Sequence, residues 1–150
     1  MAQTLTRLLV HVVFSTKNRE NTIAPDIEQE LYPYLGGICR ANESPVLAVG
    51  GTANHVHLLI NLSKNRALSR LVMDLKKDSS KWIKTKGARF AGFHWLDGYG
   101  AFSLGESQAA AAQRYISAQK LRHRASTFED EFVAFLKKYQ VPYDPRYVWA

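Results

Sequence analysis

The chain has 150 residues, of which 46% are hydrophobic and 22% charged, and its formal net charge is +7. These values are those of one globular domain, so they exclude a multidomain machine, a disordered chain and a fibrous repeat. The positive charge favours a polyanionic partner.

Cys39 is the single cysteine. It excludes an intrachain disulfide and a cysteine-based zinc site, and a reducing cytoplasm suits it best. The segment 1–13 lacks the architecture of a signal peptide, and no apolar run approaches the roughly 20 residues that cross a bilayer. We therefore expect a soluble cytoplasmic protein with no membrane partner.

The first half of the chain alternates between strand and helix patterns. It predicts a two-sided apolar strand, a helix that begins at a proline, and a hairpin closed by two glycines. In chain order these are Leu5–Ser15, a helix from Pro25 that contains Pro33, and the strands Val46–Val49 and His55–Leu62 around Gly50 and Gly51.

The second half opens with the clearest helix, because apolar residues recur at three-four spacing from Leu68 to Ile83 before Gly87. Aromatic residues broken by glycines then predict a strand, a tight turn and another strand within Phe93–Ser103. Two helices follow, over Glu106–Arg124 and Phe128–Tyr139.

This β-α-β-β-α-β order, with a further strand and two C-terminal helices, predicts an α+β fold. We expect a ferredoxin-like or RRM-like antiparallel sheet with helices on one face and an added C-terminal helix that carries Tyr115. Fold alone leaves the function open.

The tripeptide His55-Val56-His57 is the strongest chemical signal. Residues two apart on a strand point to the same side, so both imidazoles project from one face. They suit two adjacent ligands of a divalent metal, or else they are surface or hydrogen-bonded histidines. A metal site requires a further ligand.

Tyr115 and Gln119 are four residues apart on a predicted helix, so they share a face. The preceding run Ala109–Ala112 makes this helix thin enough to lie close against the histidine face. The alternative is a tyrosine partly buried at an ordinary helix–sheet contact.

The surplus of basic residues lies in the second half of the chain, in two clusters. One runs from Lys76 to Arg89, and the other from Arg114 to Arg124. Both are either phosphate-binding surfaces or solvated helix faces. Trp95, Tyr99 and Phe102 alternate along strand-like sequence, which favours core packing over base stacking.

Together these motifs resemble the HUH single-strand transposases with one catalytic tyrosine, which mobilise small insertion sequences, and the related REP-associated tyrosine transposases. The matching pieces span nearly the whole chain in the right order. They are His11–Arg19, Asn54–Leu59, Gly98–Ser103, Tyr115–Gln119 and Tyr143–Trp149. Asn54 departs from the pattern, since similar proteins often carry an acidic residue there.

The resemblance implies that residues 1–150 form a single HUH transposase catalytic domain. His55, His57 and Gln119 would bind Mg²⁺ or Mn²⁺, and Tyr115 would be the nucleophile that forms a 5′-phosphotyrosine link. The partner would be single-stranded DNA with a hairpin. The enzyme would be a homodimer with a composite active site. It would be located in the prokaryotic cytoplasm, at the nucleoid when it is bound to DNA. The basic residues expected to contact DNA are Lys76, Lys77, Lys81, Lys84, Arg114, Arg122 and His123.

Several rival functions remain open. A domesticated REP-associated-type nuclease would keep the site, whereas a noncatalytic RRM-like binder would keep only fold and charge. A metal phosphodiesterase that uses water would need His55 and His57 but not Tyr115. Formation of a covalent protein–DNA adduct distinguishes these alternatives.

Overall fold

The computed structural model describes residues 2–150. Its strands are β1 (Leu9–Ser15), β2 (Val46–Thr52), β3 (His55–Asn61) and β4 (Gly100–Ser103). Its helices are α1 (Pro25–Ala41), α2 (Leu68–Lys84), α3 (Ala109–Ser117), α4 (Gln119–Arg122) and α5 (Phe128–Lys138). No helix in this range is both long and apolar enough to cross a membrane.

The strands form one antiparallel sheet in the order β2-β3-β1-β4. This is the order that the β-α-β-β-α-β arrangement produces when each helix crosses over one strand. The predicted α+β, ferredoxin-like fold is therefore confirmed.

The two faces of the sheet carry different sets of helices. On one face, α1 and α2 pack over a continuous apolar core that includes Val12, Phe14 and Leu58. On the other face, α3 packs against Leu59 through Ile116, and α5 packs against β1 and β4. The C-terminal helices thus cover the face from which the histidines of β3 project.

The first predicted strand is shorter than the sequence indicated. β1 begins at Leu9 rather than Leu5, because its register partner Asn61 is the last residue of β3. A strand needs a neighbour to satisfy its backbone groups, and no strand pairs with residues 2–8.

The strand expected at Phe93 does not form. Phe93 and Trp95 are buried, but they lie in a loop that joins the end of β1 through an isolated bridge between Trp95 and Thr16. Gly98, at φ +86°, then turns the chain into β4. The sheet therefore has four strands without the further strand that we predicted.

The predicted helix Glu106–Arg124 is interrupted. Ala118 has φ −101° and ψ 19°, which ends α3 and lets α4 begin in a new direction at Gln119. The interruption coincides with the point at which the Gln119 side chain turns toward the sheet. Pro33, in contrast, is accommodated inside α1.

Candidate active site

Strand alternation places a row of imidazoles on the face beneath α3–α5. His55 and His57 come from β3, and His11 comes from β1 beside them. The ring centroids of His11 and His57 are 5.0 Å apart, and those of His57 and His55 are 5.1 Å apart. All three side chains are buried.

The helix after the alanine run brings both of its expected residues to this row. Gln119 is 1% exposed, and its Oε1 lies 2.9 Å from His55 Nε2. The Tyr115 ring lies over His57, with centroids 5.8 Å apart. A single chain therefore unites the histidine pair, the amide and the phenol.

Glu131, in the first turn of α5, lies at the centre of the cluster, although the sequence analysis treated it as one of three dipole-complementing acids. Its Oε1 is 2.9 Å from His57 Nε2, and its Oε2 accepts hydrogen bonds from the Tyr115 hydroxyl and from Gln119 Nε2. Thr127 caps α5 through the Asp130 amide, which fixes where the helix begins. The third acid of the run consequently faces inward.

His123 also belongs to the cluster. Its Nε2 lies 3.0 Å from Gln119 Oε1, and its Nδ1 lies 2.9 Å from the Ser126 carbonyl oxygen. Its ring centroid is 4.6 Å from that of His55. The imidazole row therefore runs His11, His57, His55, His123.

Polar neighbours orient the side chains of His55 and His57. His55 Nδ1 lies 2.8 Å from Asn54 Oδ1, an acceptor that would hold the Nδ1–H tautomer and leave the Nε2 lone pair for a cation. His57 Nε2 lies 2.9 Å from Glu131 Oε1 and His57 Nδ1 lies 2.7 Å from His11 Nε2, so without a cation Nε2–H donates to the carboxylate and Nδ1 accepts from His11. A cation at Nε2 would require the other tautomer, in which Nδ1–H donates to His11. Asn54 therefore supplies the acceptor that an acidic residue would supply.

Burial shapes the proton affinities of the cluster. Together with the nearby His57, it lowers the pKa of His11 and of His55 to about 3. Burial also raises the pKa of Tyr115, as does its hydrogen bond to Glu131. Burial by itself would raise the pKa of Glu131, but the hydrogen bond from His57 holds it well below its ordinary value.

These residues fit a divalent cation. Within residues 2–150, ligand atoms of His55, His57 and Glu131 lie within 4.8 Å of one another. With Gln119 Oε1 they offer two imidazole nitrogens, an amide oxygen and a carboxylate oxygen, and the carboxylate supplies compensating charge. Mixed nitrogen and oxygen ligands are compatible with Mg²⁺ and suit Mn²⁺ well.

The basic residues predicted to contact DNA are divided between the two faces. Lys77, Lys81 and Lys84 are exposed on α2, on the side opposite the histidines. Lys76 Nζ instead donates to the carbonyl oxygens of Leu96 and Gly98, and burial lowers its pKa to about 8. Lys76 therefore anchors the loop that contains Leu96 and Gly98.

Arg114 and Arg122 are exposed on the site's own face. The Arg122 guanidinium lies over the Tyr115 ring, 4.3 Å from its centroid. Core packing is confirmed for Trp95 and Phe102, which are 8% and 3% exposed. It is wrong for Tyr99, which is 39% exposed because it follows the Gly98 turn.

The structure adds His11 and Glu131 to the residues singled out by their sequence, and it gives His123 a place in the cluster. His11 could have been found, since it shares a strand face with Val13, and the register partner of Val13 in β3 is His57. Glu131 carried no such signal, because Glu129, Asp130 and Glu131 are chemically alike and adjacent.

Comparisons with known proteins agree with this geometry. The sequence model of the family "Transposase IS200 like" matches residues 4–119. The ISDra2 transposase TnpA of Deinococcus radiodurans is 25% identical over 118 residues, which cover 75% of this chain and 84% of the relative. The residues matched by the family model include His55, His57, Tyr115 and Gln119.

Two solved structures share the fold. One, assigned as a transposase from Deinococcus radiodurans R1, has a TM-score of 0.62 and 22% identity over 77% of this chain and 93% of its own. The other is a REP-associated tyrosine transposase bound to a REP hairpin, with a TM-score of 0.61 and 14% identity over 82% and 74% of the two chains. The family match spans all four strands and ends at Gln119 in the histidine cluster, and the chain thus belongs to the IS200-like transposase family.

Proposed function

We propose that this protein cleaves and rejoins single-stranded DNA through a covalent link between Tyr115 and a 5′ phosphate. The observation that carries the proposal is the convergence, in one chain, of the Tyr115 hydroxyl with His55, His57 and Gln119. A transposase of this family needs a nucleophile beside a site for charge stabilisation, and this cluster offers both.

The proposed step balances as a transesterification. The Tyr115 hydroxyl gives up its proton as its oxygen forms a bond to phosphorus. The bond from phosphorus to the preceding 3′ oxygen breaks, and that oxygen takes up a proton, so no net proton is consumed. A divalent cation, when bound by His55, His57, Gln119 and Glu131, supplies polarisation of the scissile phosphate. Rejoining reverses the step, so the phosphodiester energy is conserved.

Glu131 has a defined part in this proposal. Its carboxylate accepts the Tyr115 hydrogen bond and so fixes the direction of the hydroxyl. The pKa of Tyr115 is raised by burial and by Glu131, so the phenol stays neutral and donates to Glu131 until DNA and a cation are bound. The arrangement keeps the nucleophile oriented but unreactive in the absence of DNA and metal.

The proposed substrate is single-stranded DNA with a hairpin, such as the end of an insertion element. Support comes from the relative that is bound to a REP hairpin and from the surplus of positive charge. We propose that residues 1–150 act as one catalytic domain with Mg²⁺ or Mn²⁺. A homodimer is implied by the family resemblance, although here the tyrosine helix covers the histidines of its own chain.

The decisive experiment is covalent capture. Wild-type protein is incubated with Mn²⁺ and a pool of single-stranded DNA in which hairpins are flanked by randomised bases, and adducts are resolved on denaturing gels. We expect a DNA-linked species that maps to Tyr115 by mass spectrometry. Tyr115→Phe should lose it by at least about a thousandfold while it keeps DNA binding, because only the nucleophilic oxygen is removed.

Tyr34→Phe is the matched control, since Tyr34 stacks on Trp82 on the opposite face of the sheet. Continued cutting by Tyr115→Phe, with a free 5′ phosphate and no adduct, would identify a water-using phosphodiesterase. Hairpin binding by the wild type without any cutting would identify a noncatalytic binder.

A further inference from the structure

A second feature of the site is an open, polar cavity of about 820 Å³ at the His55 end of the imidazole row. Asn54 and His123 line it, and these are the side chains that contact His55 and Gln119. Tyr115 lies at the other end of the row, against His57 and His11, and lines separate cavities. The metal-ligand cluster therefore lies between the tyrosine and this cavity.

Arg19 lines the cavity in a conformation that costs free energy. Asn18 and Arg19 are successive non-glycine residues at φ +57° and +52°. Left-handed conformations of such residues persist where surrounding contacts enforce them, and they cluster at ligand-binding sites. Here the Asn54 amide reaches the Arg19 carbonyl oxygen at 3.4 Å, so the residue that orients His55 also holds Arg19.

The Arg19 side chain is positioned but not neutralised. Its guanidinium lies over the Trp149 ring, 5.0 Å from the centroid, which restricts its motion. Its Nε is buried without a hydrogen-bond partner, and within residues 2–150 no carboxylate lies within ion-pair distance of it. Arg7, Arg89 and Arg146, in contrast, are all paired with carboxylates.

An arginine that is held in place and has no carboxylate partner is suited to bind an anion. Guanidinium groups bind phosphate through paired N–H donors, and an arginine whose side chain is already restrained loses little further freedom when it does so. Glu129 and Asp130 also line the cavity, so its overall charge does not select the ligand. The ligand is selected instead by the unpaired Arg19 guanidinium and by its position beside the metal ligands.

The position of the cavity relative to Tyr115 matters because phosphoryl transfer proceeds by in-line displacement. In phosphoryl transfer the attacking and leaving oxygens lie on opposite sides of phosphorus. With Tyr115 attacking from the His57 end, the strand that ends in the leaving 3′ oxygen extends toward the His55 end. We propose that the Arg19 cavity holds this leaving strand, with the Arg19 guanidinium on a phosphate next to the scissile one. This rests on the proposed function.

The first test does not depend on cleavage. Binding of a labelled 20-residue oligothymidylate is measured by fluorescence anisotropy at several salt concentrations without metal. One phosphate contact contributes about 0.7 to the slope of log affinity against log salt for single strands. We expect Arg19→Gln to lower the slope by about that amount and Arg19→Lys, which keeps the charge, to preserve it.

Arg70→Gln is the matched control, because Arg70 is exposed on α2 and interacts with Asp74 one turn away. Thermal melting confirms that each variant is folded. An unchanged slope in Arg19→Gln, or an equal drop in Arg70→Gln, would overturn the assignment of Arg19 to a phosphate.

The second test uses strands recovered by covalent capture. Arg19→Gln should slow rejoining by about tenfold or more while adduct formation falls less, because a loosely held 3′ end leaves the site. Equal losses in both steps would overturn the assignment to the leaving strand. If the wild type forms no adduct, the proposed function fails, and the salt slope alone then decides whether Arg19 binds the DNA backbone.

Discussion

Gly50 of β2 lies directly beneath the backbone carbonyl of Ile116 on α3. A Cβ atom on residue 50 would overlap the Ile116 oxygen and come within 3.0 Å of the carbonyl carbon. Ile116 follows the proposed nucleophile, so the absence of a side chain at position 50 sets how closely the tyrosine helix approaches the sheet.

We therefore expect Gly50→Ala to displace α3 and impair adduct formation. Overpacking of this kind costs about 1–3 kcal/mol of unfolding free energy, and backbone cannot yield as a flexible side chain can. Urea denaturation and covalent capture measure the two effects. Gly37→Ala in α1 is the control, since nothing lies within 4 Å of its added Cβ and the helix should gain about 0.5–1 kcal/mol. Full activity in Gly50→Ala would contradict this account.

Glu131→Gln should weaken Mn²⁺ binding by at least about tenfold. The amide keeps the size of the carboxylate but removes its charge, and hard cations prefer carboxylate oxygen. Titration monitored by electron paramagnetic resonance of free Mn²⁺ gives the dissociation constant. Glu129→Gln, in the same helical turn but outside the cluster, should leave it unchanged. Equal affinity in wild type and Glu131→Gln would remove Glu131 from the ligands.

His11→Phe should lower Mn²⁺ affinity by about 10–100-fold, the usual effect of losing a group that orients a ligating histidine. Phenylalanine keeps a ring beside Phe135 but cannot accept the hydrogen bond from His57 Nδ1. His11→Gln offers an acceptor and should recover part of the affinity. If His11→Phe binds Mn²⁺ as the wild type does, His11 is only a packing residue.

The metal-free protein should lose stability as the pH falls from about 6.5 toward 3. The pKa values of His11 and His55 are lowered to about 3 in the fold, while unfolded histidine titrates near 6.5. The unfolded chain thus binds protons first, and each such histidine costs up to about 1.4 kcal/mol per pH unit in this window.

Urea denaturation at pH 7.5, 5.5 and 4.5 measures this dependence. His94→Gln is the control, because the His94 side chain is exposed and its loss should leave the profile unchanged. Stability that stays constant between pH 7.5 and 4.5 would show that the folded protein takes up as many protons as the unfolded chain in this range, which contradicts lowered pKa values for the buried histidines.

Local periodicity predicted much of this molecule. The two-residue repeat of a strand required His55 and His57 to share a face, and the helical repeat required Tyr115 and Gln119 to share one. The β-α-β-β-α-β order likewise implied the observed sheet. The α2 apolar stripe predicted which side of that helix is buried. The inferences from periodicity needed only neighbours within about one turn or one strand.

Only the tertiary structure decided which distant groups meet. Glu131 reaches His57 from 74 positions away along the chain, and the choice among three adjacent acids depends on the rotation of α5 over β1 and β4. The break at Ala118 likewise coincides with the contact between Gln119 Oε1 and His55 Nε2, which are 64 positions apart in the chain. Lys76 and Arg19 look alike in the sequence as basic residues, yet one is bonded to backbone carbonyls and the other faces a cavity unpaired. Sequence periodicity reports the local backbone repeat, whereas these contacts depend on how packed elements are oriented relative to one another.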